Sequence, residues 1–381
     1  RVIKEEAGRR FELEKGYLRR AVVIKKSRSE HVLAIVMHHI ISDGWSLGIM
    51  VKEMEESYEK YRRGEAEEDK EKEVQYIDYA IWERRKGEQE QSREKRYWRE
   101  QLKGVKGVRI VEQREERGEE KKEGGKEEVE VGKEVMEGIR KLSRQEGATL
   151  FISLLAAFQV LLHRWTNSTD IIVGTDLANR NRIEIESLIG FFVNILPLRT
   201  DLSGDPTFRE ALHRVRGVVL GAYTHQEIPF TKLVESLQLE RRFGQVPLIQ
   251  VIFVLQNAPM PSLALTGLTL KHLEIDTKTS RFELGLFVGE TPKGLAGTWR
   301  YDTNLFDSGT IKLLSKQFVT LLSSIVEQPD VRISRLRIFN DSEIEQQAAD
   351  KQDAKEARLR KLLSTKPEAV RLSDEVSTNS D

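Results

Sequence analysis

The stretch Met37-His38-His39-Ile40-Ile41-Ser42-Asp43-Gly44-Trp45-Ser46 decides how the rest of the chain is interpreted. The apolar run His31–Met37 precedes it and predicts a buried strand. The Asp-Gly pair that follows the histidines is a turn signal. An imidazole held at the end of a strand suits proton handling near neutral pH, because its ordinary pKa is about 6.5. The stretch therefore predicts a chemical site at a strand-to-turn junction.

Composition sets limits on the class of protein. The 381 residues include 62 Lys and Arg and 62 Asp and Glu, so the formal net charge is zero. That balance gives no argument for binding to nucleic acid or to an anionic membrane. The chain has no cysteine, which excludes disulfides, thiolate nucleophiles and Cys-ligated metals and fits a reducing cytoplasm. It also has no run of 18 apolar residues, so we expect a cytoplasmic protein with no membrane span.

Periodicity along the chain predicts interleaved strands and helices, which is typical of the α/β class. Strands are predicted at 20–25, 31–37, 171–174, 248–255 and 282–288. Helices are predicted around 47–58, 74–102, 135–142, 150–165, 208–223, 230–237 and 311–326.

Five short motifs resemble, in order, the conserved motifs of condensation domains, the amide-forming units of nonribosomal peptide synthetases. The first is the histidine stretch, which resembles the HHxxxDG signature. The other four are Tyr76-Ile77-Asp78-Tyr79-Ala80-Ile81-Trp82, Ile189-Gly190-Phe191-Phe192-Val193-Asn194, His225-Gln226-Glu227-Ile228-Pro229-Phe230 and Pro247-Leu248-Ile249-Gln250-Val251-Ile252-Phe253. The similarity extends from Phe11 to about Leu336.

This resemblance implies an α/β, two-lobed fold like that of chloramphenicol acetyltransferase. The family's first motifs, upstream of the histidines, are absent, so the first part of the N-terminal lobe is expected to be missing. The implied layout is the remainder of the N-terminal lobe at 1–110, a charged linker or loop at 111–131, the C-terminal lobe at 132–340 and a polar tail at 341–381.

The resemblance also implies a reaction and its partners. A donor acyl group and an acceptor aminoacyl group meet in a tunnel between the lobes, each a thioester on the phosphopantetheine arm of a carrier protein. Donor and acceptor carrier proteins and a neighbouring adenylation domain are the expected partners. No directly bound cofactor is expected, and the chain shows no metal-ligand spacing and no phosphate-binding glycine loop.

The family's functional residues transfer onto the histidine stretch. His39 is the expected catalytic imidazole, as a general base or as a group that positions the amine. His38 is expected to make structural hydrogen bonds. Asp43 either orients His39 or forms a buried ion pair, which the resemblance favours, with Arg281 as the candidate partner. Gly44 is expected to allow a close backbone approach or a positive φ angle, with its amide facing the developing oxyanion.

Further residues are assigned by position alone. Trp45, Ser46 and Asn194 are predicted to line the tunnel. His225 and Gln226 are expected to form a hydrogen-bonded joint between the lobes rather than a reactive site.

Three other functions are compatible with these motifs. The chain is alternatively a condensation-like interface domain that recruits a carrier protein without joining amides, an epimerization-type relative, or a free-standing acyltransferase that uses coenzyme A. The complete HHxxxDG set and the motifs that follow it favour amide formation on carriers.

Overall fold

A computed structural model describes residues 2–65, 73–85, 88–105, 123–238, 247–256, 264–271, 273 and 278–340. The predicted tail at 341–381 and most of the predicted linker lie outside the described residues. The helices are α1 Val2–Gly8, α2 Gly44–Arg62, α3 Tyr76–Arg84, α4 Glu88–Gln101, α5 Lys133–Gln145, α6 Leu150–Thr166, α7 Ile183–Glu186, α8 Phe208–Thr224, α9 Phe230–Ser236 and α10 Ser308–Glu327. The strands are β1 Arg19–Lys25, β2 His31–Met37, β3 Gly124–Gly132, β4 Asp170–Leu177, β5 Asn194–Asp201, β6 Val251–Leu255, β7 Leu284–Thr291 and β8 Gly294–Asp302.

A mixed sheet of six strands, ordered β3-β8-β7-β6-β4-β5, organises the C-terminal half of the described chain. Strands β4, β6 and β7 are parallel to one another, whereas β3, β8 and β5 pair with antiparallel neighbours. Helices α5, α6, α8 and α10 pack against this sheet. The predicted α/β class is confirmed by this architecture.

Helix α6 is the centre of the main hydrophobic core. It begins at the cap residue Thr149, whose hydroxyl accepts a hydrogen bond from the Ile152 amide at 3.3 Å. Gly147, with a φ angle of +59°, follows the end of α5 and separates α5 from α6. Residues 152–162 of the helix are all buried. The helix predicted at 150–165 is therefore confirmed.

The aromatic motif at 76–82 forms helix α3 and builds a second, smaller core. Tyr79 packs there with Ile185, Leu188 and Phe192. The Tyr76 hydroxyl donates to the Phe191 carbonyl at 2.9 Å. A Cβ added at Gly190 would lie 2.1 Å from the Tyr76 ring, so the glycine of the Ile189–Asn194 motif allows this close approach. The motif is thus used for packing between distant segments.

The structure corrects the predicted linker at 111–131. Gly124–Gly132 form strand β3, which pairs with β8 along its whole length. Only Val129 and Val131 are buried in this strand, and charged residues alternate with them. The charge of the exposed face therefore masked the period-two pattern of a half-buried strand.

The prediction that His31–Met37 is a buried strand was wrong. The segment forms strand β2, which pairs with β1 in a sheet of two strands. Only Ala34 is buried among the residues of β2. Val23 and Leu33, which are register partners, are 66% and 49% exposed. Apolar residues on one face of this two-stranded sheet are exposed, whereas those on the other face are half-buried or buried. Helix α1 contacts β2, and Arg20 of β1 donates to the Glu6 and Arg9 carbonyls.

Among the described residues, no single helix is long and apolar enough to cross a membrane. Helices α5 and α6 reach the required length and composition only as a pair bent by 107°. Both contribute side chains to the hydrophobic core.

A matched pair of substitutions tests where the stability resides. Leu155→Ala removes a side chain with no exposed surface and is expected to lower the free energy of unfolding by about 2–5 kcal/mol. Leu33→Ala on the exposed sheet is expected to change it by less than about 0.5 kcal/mol. Urea unfolding followed by tryptophan fluorescence measures both, and equal losses would contradict the proposed location of the core.

Candidate active site

The histidine stretch folds as a short connection between β2 and α2. After Met37 the chain enters a 3-10 turn at His39–Ile41, capped by His38, whose Nδ1 accepts a hydrogen bond from the Ile40 amide at 3.1 Å. Helix α2 then begins at Gly44, and the Asp43 carboxylate caps it by accepting from the Ser46 amide at 2.8 Å. Both ends of the turn are therefore fixed by side chains of the motif itself.

His39 is held in one tautomer by a backbone carbonyl. Its Nδ1 lies 2.6 Å from the Ser42 carbonyl oxygen. A carbonyl only accepts hydrogen bonds, so Nδ1 carries the proton and donates it. In the neutral ring Nε2 is then left with a lone pair that accepts a proton or a hydrogen bond.

The surroundings of His39 leave its ring accessible. The residue is exposed to solvent, and its ring meets the Phe191 ring edge to face, with centroids 5.1 Å apart and planes at 86°. The His38 ring instead contacts Phe11, with centroids 6.0 Å apart. The two neighbouring imidazoles thus have different environments, and His38 has the hydrogen-bonding role expected from the sequence.

Asp43 forms a buried ion pair with Arg180. The distance from Arg180 Nη2 to Asp43 Oδ1 is 3.2 Å, and the two side chains are 1% and 0% exposed. Arg281, predicted as the partner, makes no ion pair with Asp43 among the described residues, and its guanidinium lies 5.8 Å from the Phe282 ring centroid. The structure therefore supports the ion-pair interpretation of Asp43 and corrects the identity of its cation. Asp43 does not orient His39, because the Ser42 carbonyl does so.

The ion pair continues into a hydrogen-bond network that joins α2 to the Ile189–Asn194 motif. The Ser46 hydroxyl accepts from Arg180 at 2.9 Å and lies 2.8 Å from both Asp43 Oδ1 and the Gly190 carbonyl. The Phe192 amide donates to Asp43 Oδ2 at 3.0 Å. Each carboxylate oxygen of Asp43 therefore has backbone and side-chain donors that compensate its burial.

Arg180 also holds the segment around α7. Its Nη1 donates to the Ile185 and Leu188 carbonyls at 2.7 and 2.8 Å, and its guanidinium lies 4.1 Å from the Phe192 ring centroid. Burial lowers the pKa of Arg180, and the neighbouring Asp43 carboxylate opposes that shift. The sequence interpretation missed this residue, although a buried Asp in the motif does signal that a cation must lie nearby.

Two residues that were expected to line the tunnel are used to fasten segments together. Ser46 is 1% exposed and uses its hydroxyl within the Asp43 network, so it does not line an open passage. Asn194 is 7% exposed. Its side chain donates to the Gln226 and Ile228 carbonyls and accepts from the Ile195 and Phe230 amides. These four bonds make Asn194 an anchor for the 225–230 motif.

Gly44 and Trp45 are the first two residues of α2. The Trp45 indole donates to the Glu186 carbonyl at 3.0 Å, which fastens α2 to α7. The φ angle of Gly44 is not positive, and a Cβ there would have no neighbour within 4 Å. Its predicted close backbone approach is therefore not seen. As the first residue of α2, it contributes an N–H that lies before the helix's own hydrogen bonds.

His225 lies at a joint between α4 and the end of α8. Its ring stacks on Tyr97 with centroids 4.0 Å apart, and its Nδ1 is 3.2 Å from a Glu94 carboxylate oxygen. The Trp98 indole donates to the His225 carbonyl at 2.8 Å. The structure places His225 in the joint that the sequence favoured.

Asp176 was not singled out in the sequence. It stands near the end of β4, where the chain becomes exposed after five buried residues. Burial of its surroundings raises the pKa of Asp176, and the charges of Arg281 and His39 oppose the shift. The carboxylate, guanidinium and imidazole therefore share one region of the surface. Across the described residues, no three His, Asp or Glu side chains are grouped as a metal site.

Comparison with known proteins identifies the family. A family model described as the condensation domain matches residues 1–348. One component of the linear gramicidin synthase of Brevibacillus parabrevis is 44% identical over 342 residues, which cover 89% of this chain and 7% of that protein. Chondramide synthase cmdD of Chondromyces crocatus is 36% identical over 344 residues, covering 90% and 9%. The chain belongs to the condensation domain family, and it spans less than a tenth of the length of these curated relatives.

Solved structures agree with that assignment. The X-domain from teicoplanin biosynthesis has a TM-score of 0.81 and 29% identity, covering 88% of this chain and 78% of that one. The first condensation domain of the CDA synthetase has a TM-score of 0.68 and 17% identity, covering 85% and 70%. The predicted fold, like that of chloramphenicol acetyltransferase, is confirmed by these neighbours.

Removal of one partner tests the buried ion pair. Arg180→Leu leaves the Asp43 carboxylate buried without its cation and is expected to lower the free energy of unfolding by about 3–5 kcal/mol. Lys26→Leu, which breaks the exposed pair with Glu30, is the matched control and is expected to cost less than about 1 kcal/mol.

A double-mutant cycle measures the coupling directly. Asp43→Asn combined with Arg180→Leu removes the uncompensated charge, so the double variant should be more stable than the sum of the single losses predicts. Urea unfolding provides all the values. Strict additivity would show that the two side chains do not stabilise each other.

Proposed function

We propose that this chain is an acyltransferase that forms amide bonds between two carrier-bound substrates in nonribosomal peptide synthesis. The donor is an acyl or peptidyl thioester and the acceptor is an aminoacyl thioester, both on phosphopantetheine arms of carrier proteins. The observation that carries this proposal is the exposed His39 ring, with Nδ1–H fixed on the Ser42 carbonyl and Nε2 free to accept. Family membership supplies the reaction class.

The chemistry assigned to His39 begins at the acceptor nitrogen. That nitrogen attacks the carbonyl carbon of the donor thioester, a C–N bond forms, and the C–S bond breaks to release the donor arm as a thiolate. Nε2 accepts the proton lost by the amine and returns it to the leaving thiolate. The Ser42 carbonyl supports the transient imidazolium because it remains a hydrogen-bond acceptor for Nδ1–H.

Positioning is an alternative role for the same imidazole. An α-amino group has a pKa of about 7.7–8.0 in model compounds, so part of it is already neutral near pH 7. Nε2 then acts as a hydrogen-bond acceptor that orients the amine for attack, and orientation by itself lowers a barrier substantially. Both roles need the same tautomer.

The start of α2 supplies a site for the negative charge that develops on the thioester oxygen. Gly44 is the first residue of this helix, and the N–H groups of a first helical turn point away from the helix with a partial positive charge. We assign the Gly44 amide to this oxyanion-stabilising role.

The relatives guide the proposed setting. The synthetases matched over the chain are much longer proteins, so the proposed partners are donor and acceptor carrier proteins and a neighbouring adenylation domain. No cofactor of its own is assigned to the domain, and a cytoplasmic location is proposed for it.

Replacement of His39 tests the proposed chemistry. His39→Ala in the full chain, supplied with a loaded donor carrier and a loaded acceptor carrier, should lower the rate of amide formation by about 10²–10⁴-fold. The matched control is His31→Ala, an exposed histidine at the start of β2, which should keep the parent rate. Mass spectrometry of the acceptor carrier detects the product, and an unchanged rate in His39→Ala would refute the assignment.

A second candidate is a non-catalytic interface domain. The observation that favours it is the match to the X-domain in its complex with OxyB from teicoplanin biosynthesis, with a TM-score of 0.80 and 28% identity. If the full chain binds a loaded carrier but forms no amide when both substrates are supplied, this second function is supported over the first. Consumption of acyl-coenzyme A without a carrier would instead indicate a free-standing acyltransferase.

A further inference from the structure

Asp176 follows the buried part of strand β4. The five residues before it on β4, from Ile171 to Thr175, are buried, yet Asp176 is exposed. Strand β4 has neighbours on both sides, β6 and β5. The carboxylate therefore stands at the point where a central strand emerges from the core.

The strand register places this point next to the histidine site. Asp176 pairs with Ile195 and Leu177 with Asn194, so the end of β4 lies beside the start of β5. Strand β5 begins three residues after Phe191, whose ring contacts His39. The end of β4 and the His39 ring therefore meet at the same edge of the large sheet.

The charges around Asp176 are consistent with this placement. Both Arg281 and His39 are close enough to interact electrostatically with the carboxylate. Burial raises the pKa of Asp176, and the positive charge of Arg281 opposes that shift.

No structural role within the described residues accounts for this carboxylate. Asp43, Asp78, Asp170 and Asp307 each cap a helix or pair with an arginine. The Asp176 carboxylate makes neither a hydrogen bond nor a close ion pair with any other residue that the structure describes. A partly desolvated carboxylate with unused acceptor oxygens, beside an exposed imidazole, is available to bind a cation.

We propose that Asp176 binds the α-ammonium group of the acceptor aminoacyl thioester and holds it beside Nε2 of His39. This inference rests on the proposed function, since it names the group through which that site recognises its acceptor. An ammonium ion matches a carboxylate in charge and donates up to three hydrogen bonds. The bound ammonium first releases one proton to solvent, as an α-amino group with a pKa of about 7.7–8.0 does near neutral pH. The resulting amine keeps one hydrogen bond to Asp176 while its lone pair attacks the donor carbonyl carbon, and Nε2 of His39 accepts the second proton.

The assignment predicts a separation of the two kinetic constants. Asp176→Asn keeps the shape of the side chain but removes its charge, so KM for the loaded acceptor carrier should rise about tenfold. The kcat should not fall, because an ion pair with the ammonium stabilises the ground state rather than the transition state. A purely structural residue would not produce this pattern.

A binding experiment tests the same point without turnover. The probes are an aminoacyl group joined to pantetheine through a stable amide and its matched analogue that lacks the α-amino group. The full chain should bind the amino probe about tenfold more tightly than the desamino probe by calorimetry. Asp176→Asn should lose this preference, and Asp176→Glu should retain most of it.

The control variant removes an acidic charge at a distance. Glu134 lies on α5, which packs against β3 and β8 at the opposite edge of the sheet from β4 and β5. The Glu134→Gln variant should therefore prefer the amino probe over the desamino probe as strongly as the parent chain does. Thermal unfolding checks the fold of Asp176→Asn. Its midpoint should not fall at neutral pH, because the pKa of Asp176 is raised in the folded chain and ionisation there opposes folding.

The outcomes separate the two proposals. Equal preference for the amino probe in the parent chain and in Asp176→Asn, or no preference in the parent chain, would overturn the role of Asp176. Dipeptide formation with an unchanged acceptor KM in Asp176→Asn would refute this inference while supporting the proposed function. A charge-dependent preference without any amide product would support the binding role and refute the proposed reaction.

Discussion

The ion pair between Asp43 and Arg180 is the constraint on which the site depends. Two opposite charges are buried here with almost no exposed surface, and removing ions from water is costly unless each finds its partner and enough hydrogen bonds. Their hydrogen bonds reach α2, the segment around α7 and the Ile189–Asn194 motif together. The pair therefore fixes the relative position of segments that are far apart in the sequence.

The geometry of His39 is a consequence of that arrangement. The same Asp43 carboxylate that meets Arg180 also starts helix α2, which sets the turn before it. Within that turn the Ser42 carbonyl meets Nδ1 of His39, and the anchored Ile189–Asn194 motif presents Phe191 to the ring. The aspartate of the motif thus acts on the histidine through the backbone, without contact between the two side chains.

Much of this architecture could be predicted from the sequence, because the patterns that indicate helices, strands and turns involve residues close together in the chain. Helix α6 follows from a largely apolar stretch at 150–165, and Asp43 is a residue type that commonly caps the start of a helix, as it does for α2. Arg180 was beyond prediction because its partner lies 137 residues away and the chain offers 62 lysines and arginines.

Other errors share a physical cause, since sequence proximity to a motif does not reveal what a side chain bonds to. Ser46 and Asn194 look like site residues by position, yet their polar atoms satisfy backbone groups of neighbouring segments. Strand β2 has the composition of a core strand, and whether an apolar strand is covered depends on elements distant in the chain. Asp176 carries no local signal either, because its surroundings arise from the meeting of β4 with β5.

The outward apolar side of the β1–β2 sheet has a practical consequence. One face of this two-stranded sheet exposes a row of mainly apolar side chains: Ala21, Val23, Leu33 and Ile35. Sheets of only two strands have little stability of their own in water. Uncovered strands of this kind recruit further strands from other molecules. At high concentration the isolated polypeptide is thus prone to aggregate by pairing of β-strands between molecules. Charged residues in place of these apolar side chains would improve the solubility of the polypeptide without disturbing the histidine turn.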